Sequence, residues 1–478
     1  MNIFEVFILI FLVVSALNRL VFRINMLDIV LPACSVILCI ANLVFIGYRI
    51  QMVPAYILAL IFLVIDVFIK FKISFKMKKS FKILSVLILV LSLIISIAFP
   101  ILFPVVQLPK TEGPYSVGTA TMSFTDESRK GIFTEKNSSR EIAVQIWYPT
   151  DDTANKEATN FFPNSVASTY MAERLGLPDI FGYLALVKTH SNKNSDLSTH
   201  ERSYPVILFS GGFGSFVGQN TVQMEALASN GYIVFSISHP YEDFATIYPS
   251  GKILRYNTAQ VNRFQNELAT VSKSYSGDKS SAEFEKYSIK ECQIASESVH
   301  IWSDDTIFIA DIIEELNSGE IKSIFKNKLD TANMGVFGHS FGGATASQVC
   351  LDDSRFKAFI NMDGTVFGDS MNRVIERPFM IMNGNDDKSL IPAGYSSEQT
   401  NYYDVTINGA KHSDFMDFTV LLPTFRLVGM LGNVGGYRQE AIMNDYIIAF
   451  FNKYLKGTNE PLLDDGMQKY DNVSVEYH

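Results

Sequence analysis

The chain has 478 residues and a formal net charge of −9 at pH 7. It is too long for one compact domain of ordinary size. The charge is unevenly divided, because residues 1–104 hold nine lysines and arginines against three acids, which is +6, so that residues 105–478 carry −15. An acidic second part argues against nucleic acid as a partner, since phosphate binding needs a basic face.

The four cysteines do not form a recognisable framework. Cys34 and Cys39 lie in an apolar run, whereas Cys292 and Cys350 are far apart and lack the spacing of a metal site. We therefore expect buried or unpaired thiols rather than a disulfide scaffold or a zinc site. The sequence predicts no metal and no other cofactor.

Four apolar stretches dominate residues 1–104. We interpret this segment as a transmembrane anchor of about four helices. In chain order they are Ile3–Leu17, Leu27–Tyr48, Val53–Ile69 and Ile83–Phe103. A helix needs about 20 apolar residues to cross a bilayer, and the second and fourth stretches meet this length comfortably. The first stretch lacks the basic start and the cleavage site of a secretory signal peptide.

Basic residues predict the orientation of this anchor. Between the third and fourth stretches lie six lysines and no acid: Lys70, Lys72, Lys76, Lys78, Lys79 and Lys82. Because positively charged loops stay in the cytoplasm, everything after Phe103 is expected on the extracytoplasmic side of a multi-pass cell-membrane protein. Asp28 and Asp66 lie near predicted helix ends, where water reaches them, so no intramembrane charge network that would mark a transport path is expected.

Residues 105–112 form a proline-rich connector, and residues 113–478 show the alternation of an α/β domain. The predicted strands are Glu141–Tyr148, Pro205–Ser210, Gly231–Ser236, Met334–Phe337, Ala358–Met362 and Pro378–Met382, and Trp302–Leu316 is a predicted amphipathic helix. Short apolar runs bounded by turn residues are typical of a mostly parallel sheet with helices on both faces. The polar residues 255–300 interrupt this pattern as an insertion, either a lid or a solvated loop.

A glycine-rich serine motif, Gly338-His339-Ser340-Phe341-Gly342-Gly343, follows one predicted strand and precedes a predicted helix. In the G-x-S-x-G arrangement a sharp strand-to-helix turn exposes the serine hydroxyl. The motif predicts the α/β-hydrolase fold with Ser340 as the nucleophile and the Phe341 N–H in the oxyanion hole. The alternative is a glycine-rich turn with an incidental serine.

A base and an acid should follow the nucleophile, because this fold orders its triad as Ser, acid and His. Of the histidines only His412 and the C-terminal residue come later, so His412 is the predicted base. The acid is either Asp363, at the end of one predicted strand, or Asp386 or Asp387, after the next. Spacing alone does not choose between these positions.

The second oxyanion donor is expected in a glycine-rich turn after an early strand. The segment Ser210-Gly211-Gly212-Phe213-Gly214 fits this position, and the Phe213 N–H is the candidate donor. A purely structural glycine turn is the alternative.

Seven motifs follow one another between Gly113 and the C-terminus. They are GPYSVGT (113–119), IWYP (146–149), THSNKNSDLS (189–198), LFSGGFGSF (208–216), GHSFGGAT (338–345), NMDGTVFG (361–368) and KHSDFMDF (411–418). In this order they resemble the plasma-type platelet-activating-factor acetylhydrolase family and its bacterial relatives. The resemblance implies a serine esterase that cleaves short or oxidised acyl chains from phospholipids without a metal.

The resemblance also bears on individual residues. It favours Asp363 over Asp386 as the acid, and it matches Phe213 and Phe341 to the two oxyanion positions. This sequence departs from the family at the oxyanion turn, which usually begins His-Gly but here begins Gly211-Gly212. Two other hypotheses stay open: an esterase or acyltransferase for non-phospholipid envelope esters, and a membrane sensor that only binds a ligand. The sequence does not predict the oligomeric state.

Overall fold

The structure is a computed structural model that describes residues 1–22, 24–71, 78–151, 158–384, 391–464 and 467–478. The α-helices of these residues are α1 Ile3–Leu17, α2 Leu27–Phe45, α3 Val53–Lys70, α4 Lys79–Leu102, α5 Ser165–Leu175, α6 Thr221–Ser229, α7 Thr258–Ser274, α8 Ala282–Glu291, α9 Gln293–Ser318, α10 Phe341–Asp352, α11 Phe418–Leu421, α12 Gly436–Phe451 and α13 Pro461–Asp464. The strands are β1 Ser116–Lys130, β2 Ser139–Thr150, β3 Ala158–Asn160, β4 Lys188–Lys193, β5 Tyr204–Ser210, β6 Ile233–Ile237, β7 Ala245–Ile247, β8 Ile253–Arg255, β9 Leu329–His339, β10 Phe356–Met362, β11 Phe379–Gly384, β12 Tyr402–Ile407 and β13 Val473–Tyr477.

Four N-terminal helical segments are long and apolar enough to cross a membrane. They are Ile3–Phe22, Leu27–Phe45, Ile50–Lys70 and Lys79–Leu102. In the last of them, only 11% of the most apolar 18-residue segment is buried by other parts of the protein. Apolar surface on this scale needs a non-aqueous environment, which a bilayer supplies.

Two buried ion pairs, which the sequence did not predict, connect these helices. Arg49, between α2 and α3, donates to Glu5 at the start of α1 over 3.0 Å, and both side chains are 1% exposed. Arg49 also donates to the Phe103 carbonyl at the end of α4 over 2.6 Å. At the opposite end of the bundle Arg19 pairs with Asp66, whose side chain is 2% exposed. Asp66 is therefore buried against its partner rather than open to water, because a charge in this position needs an opposite charge.

The N-terminal helices contact the rest of the chain through the end of their bundle that holds Arg49. The Gln51 side chain donates to the Ile180 carbonyl over 2.6 Å. The ring of Tyr183 packs edge-on against Phe103, with 6.4 Å between ring centroids. The α2–α3 connection and the end of α4 therefore face the same domain.

One mixed sheet organises residues 113–478, in the order β13-β12-β11-β10-β9-β5-β6-β2-β1-β4-β3. All neighbours from β12 to β6 are parallel, whereas β13 and β2 pair antiparallel at either side of this block. Strands β6 and β11 are buried along their whole length. One apolar cluster includes α9 and covers one face, and a second includes α12 and covers the other. The predicted α/β-hydrolase architecture is confirmed.

The parallel order brings the carboxyl ends of β5, β9 and β10 to one edge of the sheet. Ser340 follows β9, Asp363 follows β10, and the turn at Gly211 follows β5. Residues 255–300 do not form a solvated loop, because they are the helices α7 and α8 and the start of α9. Ligands of open α/β sheets bind at this edge, so the predicted site residues share the expected location.

Candidate active site

Ser340 occupies the sharp turn between β9 and α10. Its backbone has φ 56° and ψ −122°, a conformation that side-chain-bearing residues rarely adopt. A Cβ at Gly338 would lie 2.1 Å from the carbonyl carbon of Gly342, and a Cβ at Gly342 would lie 2.0 Å from the Ser210 oxygen. The glycines of the motif are therefore required by close backbone contacts, which hold the serine at the carboxyl edge of the sheet.

Asp363 and His412 are in direct contact. The Nδ1 atom of His412 lies 2.6 Å from Oδ2 of Asp363, whose other oxygen accepts the Gly384 N–H over 3.4 Å. The Asp363 side chain is 1% exposed, whereas that of His412 is 49% exposed. A buried carboxylate on Nδ1 orients the ring and leaves Nε2 for a substrate-side proton. The alternative acids, Asp386 and Asp387, lie outside the described residues.

The turn that carries Phe213 is held by the side chain of Gln219. The Gln219 carbonyl accepts the Gly212 N–H over 2.8 Å, and its amide donates to Nδ1 of His339 over 2.9 Å. Within the described part of the chain, neither the Phe213 nor the Phe341 N–H donates a hydrogen bond. Both candidate oxyanion donors are thus free to bind a developing negative charge. Gln219 supports the turn that begins Gly-Gly instead of His-Gly.

His339, the residue before the serine, links the oxyanion turn to the histidine loop. Its Nε2 donates to the His412 carbonyl over 3.0 Å, while Nδ1 accepts from Gln219. Burial, together with the neighbouring His412, holds the pKa of His339 well below its usual range. A neutral His339 with its proton on Nε2 satisfies both contacts. Sequence reasoning did not assign roles to His339 and Gln219, and only the motif position of His339 could have indicated one.

The insertion contributes one wall of the cavity above Ser340. This cavity of about 520 Å³ is lined by Ser340, Asp363 and His412, and by side chains of α7 and α8 that include Phe264, Leu268 and Phe284. The Phe264 ring stacks on Phe213 with a centroid distance of 3.8 Å. Helix α7 therefore both encloses the cavity and fixes the residue that carries a candidate oxyanion donor. A larger cavity of about 640 Å³, against β1, β3 and β4, includes none of the candidate catalytic residues.

A buried polar cluster lies beneath the oxyanion turn. His239 contacts the hydroxyl of Ser210 over 3.1 Å and Oδ2 of Asp305 over 2.9 Å, and its ring stacks on Trp302. Arg140 donates two hydrogen bonds to Asp305, of 2.6 and 2.7 Å. Burial alone would raise the pKa of Asp305, but the Arg140 charge holds it well below its usual range. The paired charges support the turn from below without reaching the cavity.

Buried carboxyl groups lie behind the histidine loop. Burial, reinforced by Asp414, raises the pKa of Glu440 from its ordinary value of 4.5 to about 8, although a hydrogen bond from Gln223 opposes this shift. Burial and the charge of Glu440 likewise raise the pKa of Asp417 well above its usual range. Protonation of these groups in the folded state makes stability depend on pH.

We expect the protein to lose stability between about pH 4.5 and 8, and Glu440→Gln to remove much of this loss. Above its unfolded pKa a carboxyl group ionises in the unfolded chain but stays protonated in the fold, so rising pH favours unfolding by about 1.4 kcal/mol per unit until the folded pKa is passed. Thermal unfolding of the detergent-solubilised protein across this range measures the effect. The exposed Glu297 provides the control substitution Glu297→Gln. Equal pH dependence in both variants would contradict the assignment to Glu440.

Similarity to known proteins extends over most of the domain that carries this site. A family described as "Platelet-activating factor acetylhydrolase, isoform II" matches residues 101–473, well over half of the chain. The chain belongs to this family. The resemblance inferred from the motifs is thereby confirmed, and this member of the acetylhydrolase family is an ester-hydrolysing enzyme of the serine hydrolase type.

The individual relatives of this acetylhydrolase-family protein are named as acetylhydrolases or as an esterase. The platelet-activating factor acetylhydrolase of Cavia porcellus is 28% identical over 73% of this chain and 78% of its own length. That of Canis lupus familiaris is 26% identical over 73% and 77%. A probable 1-alkyl-2-acetylglycerophosphocholine esterase of Arthroderma benhamiae is 23% identical over 77% and 92%.

A solved structure has the same fold. The ferulic acid esterase from Streptomyces cinnamoneus superposes with a TM-score of 0.59 over 78% of this chain and 99% of its own, at 22% identity. The family match and this fold agree with the α/β-hydrolase prediction. The roles of Ser340, Asp363, His412, Phe213 and Phe341 stay predictions.

Proposed function

We propose that this enzyme is a serine-dependent carboxylic ester hydrolase that releases short or oxidised acyl chains from phospholipid-like substrates through an acyl-enzyme. The observation that carries the proposal is the 2.6 Å contact between His412 and Asp363 in the cavity that Ser340 also lines. A nucleophile, a base and a buried orienting carboxylate are the three parts that this chemistry needs.

In the proposed mechanism the Ser340 oxygen attacks the ester carbonyl carbon while Nε2 of His412 takes the hydroxyl proton. The N–H groups of Phe213 and Phe341 bind the oxyanion of the tetrahedral intermediate. Collapse of this intermediate breaks the bond to the alcohol, which takes the proton from His412, and leaves the acyl group on Ser340. Water then attacks the acyl-enzyme while His412 takes a proton from it, and the bond to Ser340 breaks as His412 returns this proton to the serine oxygen and the carboxylic acid departs.

A lipid ester is supported by the composition of the cavity and by the anchor. Phe213, Phe264, Phe341 and Phe367 place aromatic rings around Ser340, as suits an apolar acyl group. The relatives' names specify acetyl esters of alkyl glycerophosphocholines. An enzyme held at a bilayer also meets its lipid substrates without first binding the membrane from solution.

The same proposal includes the location of the domain. Helices α1 to α4 span the cell membrane, and the catalytic domain lies on the extracytoplasmic side. Lys78 and Lys79 lie at the start of α4, opposite the end that leads to the catalytic domain, and Lys70 ends α3. Protease added outside intact cells is therefore expected to remove the domain after Phe103. Digestion only after permeabilisation would overturn this topology.

A panel of esters tests the substrate class. The full-length protein in detergent micelles should hydrolyse 1-alkyl-2-acetylglycerophosphocholine and lose activity as the acyl chain at that position lengthens. Hydrolysis of p-nitrophenyl esters without any turnover of phospholipid would favour an esterase or acyltransferase for other envelope esters. Binding without hydrolysis of any ester would favour the sensor. Either of these last two results would exclude the proposed substrate class.

A further inference from the structure

Arg174 is a further residue beside the candidate site to which the sequence assigned no role. It stands in the last turn of α5 and lines the 520 Å³ cavity above Ser340. It also lines a smaller neighbouring cavity of about 240 Å³ that Ser340 and His412 share. Its Nε atom is buried without an acceptor. A Cβ on Gly214 would lie only 2.6 Å from this Nε, so Arg174 packs directly against the turn that carries Phe213.

No described carboxylate lies within ion-pair distance of this guanidinium. The neighbouring Glu173 instead pairs with Arg255 over 2.7 Å. The Gln265 amide, oriented with its carbonyl towards Arg174, accepts two of its N–H groups over 2.8 and 3.0 Å and is neutral. Burial lowers the pKa of Arg174, and among the described residues Tyr256 opposes this shift. An arginine stays charged under these conditions, so among the described residues this cation has no carboxylate partner in the cavity.

We propose that Arg174 binds an anionic oxygen group of the ester substrate, either a phosphodiester in the alcohol part or a carboxylate in the acyl part. The inference rests on the proposed function and adds a specificity-determining residue to it. A planar guanidinium binds carboxylate and phosphate oxygens through two parallel hydrogen bonds. Because Arg174 contacts Gly214, the bound anion lies close to the Phe213 N–H and so fixes where the scissile carbonyl sits.

The test compares charged and neutral esters in the full-length protein and in Arg174→Gln. The charged esters are 1-alkyl-2-acetylglycerophosphocholine and mono-p-nitrophenyl glutarate, and their neutral counterparts are 1-alkyl-2-acetylglycerol and p-nitrophenyl butyrate. The substitution should lower kcat/KM for one charged ester by about 10- to 100-fold, as expected for a lost charge-assisted pair, mainly through KM. Activity on both neutral esters should stay within about twofold, because they offer no anion to Arg174 and the Gln side chain still fills much of the same space with a polar group. The ester that loses activity shows which part of the substrate holds the anion.

Two further variants separate recognition from structure. Arg174→Lys keeps the charge without the planar fork and should restore part of the lost activity. Arg255→Gln removes a nearby cation that already has a carboxylate partner, and should leave all four rates unchanged. An equal loss on charged and neutral esters, or no loss on any, would overturn the inference and leave ester hydrolysis intact. A wild-type protein that hydrolyses none of the four esters would instead refute the proposed function.

Discussion

Replacing Ser340 with alanine is expected to lower ester hydrolysis by about 10⁵- to 10⁶-fold, because Ser340 is the cavity-lining hydroxyl that stands on the strained turn after β9 and would form the acyl-enzyme. The same substitution should abolish covalent labelling by a fluorophosphonate, which reacts with an activated serine. The wild-type protein should be labelled at a single residue. Gel fluorescence and peptide mass measurement report both results.

Ser347 provides a matched control for this experiment. It lies on α10, the helix that follows Ser340, and its hydroxyl contacts the Tyr395 hydroxyl over 2.9 Å, away from His412. Ser347→Ala should keep labelling and hydrolysis, at a cost of about 1 kcal/mol in stability. Labelling that survives in a folded Ser340→Ala protein would move the nucleophile elsewhere, and a folded wild-type protein without labelling would favour the sensor hypothesis.

Asp363→Asn is expected to lower kcat by about 10⁴-fold while the domain stays folded. The carboxylate accepts the Nδ1 proton of His412 over 2.6 Å, so that Nε2 can receive the serine proton. An amide NH₂ in the same place favours the opposite tautomer, in which Nε2 carries the proton and cannot act as a base. Steady-state hydrolysis of p-nitrophenyl butyrate measures the loss, and thermal unfolding reports the fold.

Asp386→Asn is the comparison that decides between the two candidate acids. It changes the same functional group after the neighbouring strand and should leave kcat within a few-fold of wild type. A large loss in Asp386→Asn with little effect of Asp363→Asn would move the acid to the segment after β11. Comparable losses in both would show that neither residue alone orients His412.

Much of the fold was predictable because its determinants are local. Each predicted strand overlaps an observed one, since short apolar or alternating runs between turn residues have few stable arrangements other than a buried strand. The turn at Ser340 was also predictable, because only a glycine-rich segment tolerates its backbone contacts. The prediction that His412 is the base required no structural information, because it followed from elimination along the chain.

Contacts between distant segments were not predictable in this way. The sequence left Asp363 and Asp386 as alternatives, whereas the order of β9, β10 and β11 brings Asp363 against His412. The stacking of Phe264 on Phe213 likewise depends on how the insertion folds back over the sheet, which polar composition does not reveal. Nor does hydropathy show that Arg19 would reach Asp66 across the helix bundle.

The sequence by itself thus determined the elements of this protein: the apolar helices, the strands, the serine turn and the histidine that follows it. Periodicity and turn chemistry act over a few residues, so a single sequence is enough to recognise them. Only the tertiary structure decided which charges meet. Whether a cation forms an ion pair or, like Arg174, lacks a described carboxylate partner depends on which side chains the whole fold brings within a few ångströms. Burial then determines how strongly those charges act.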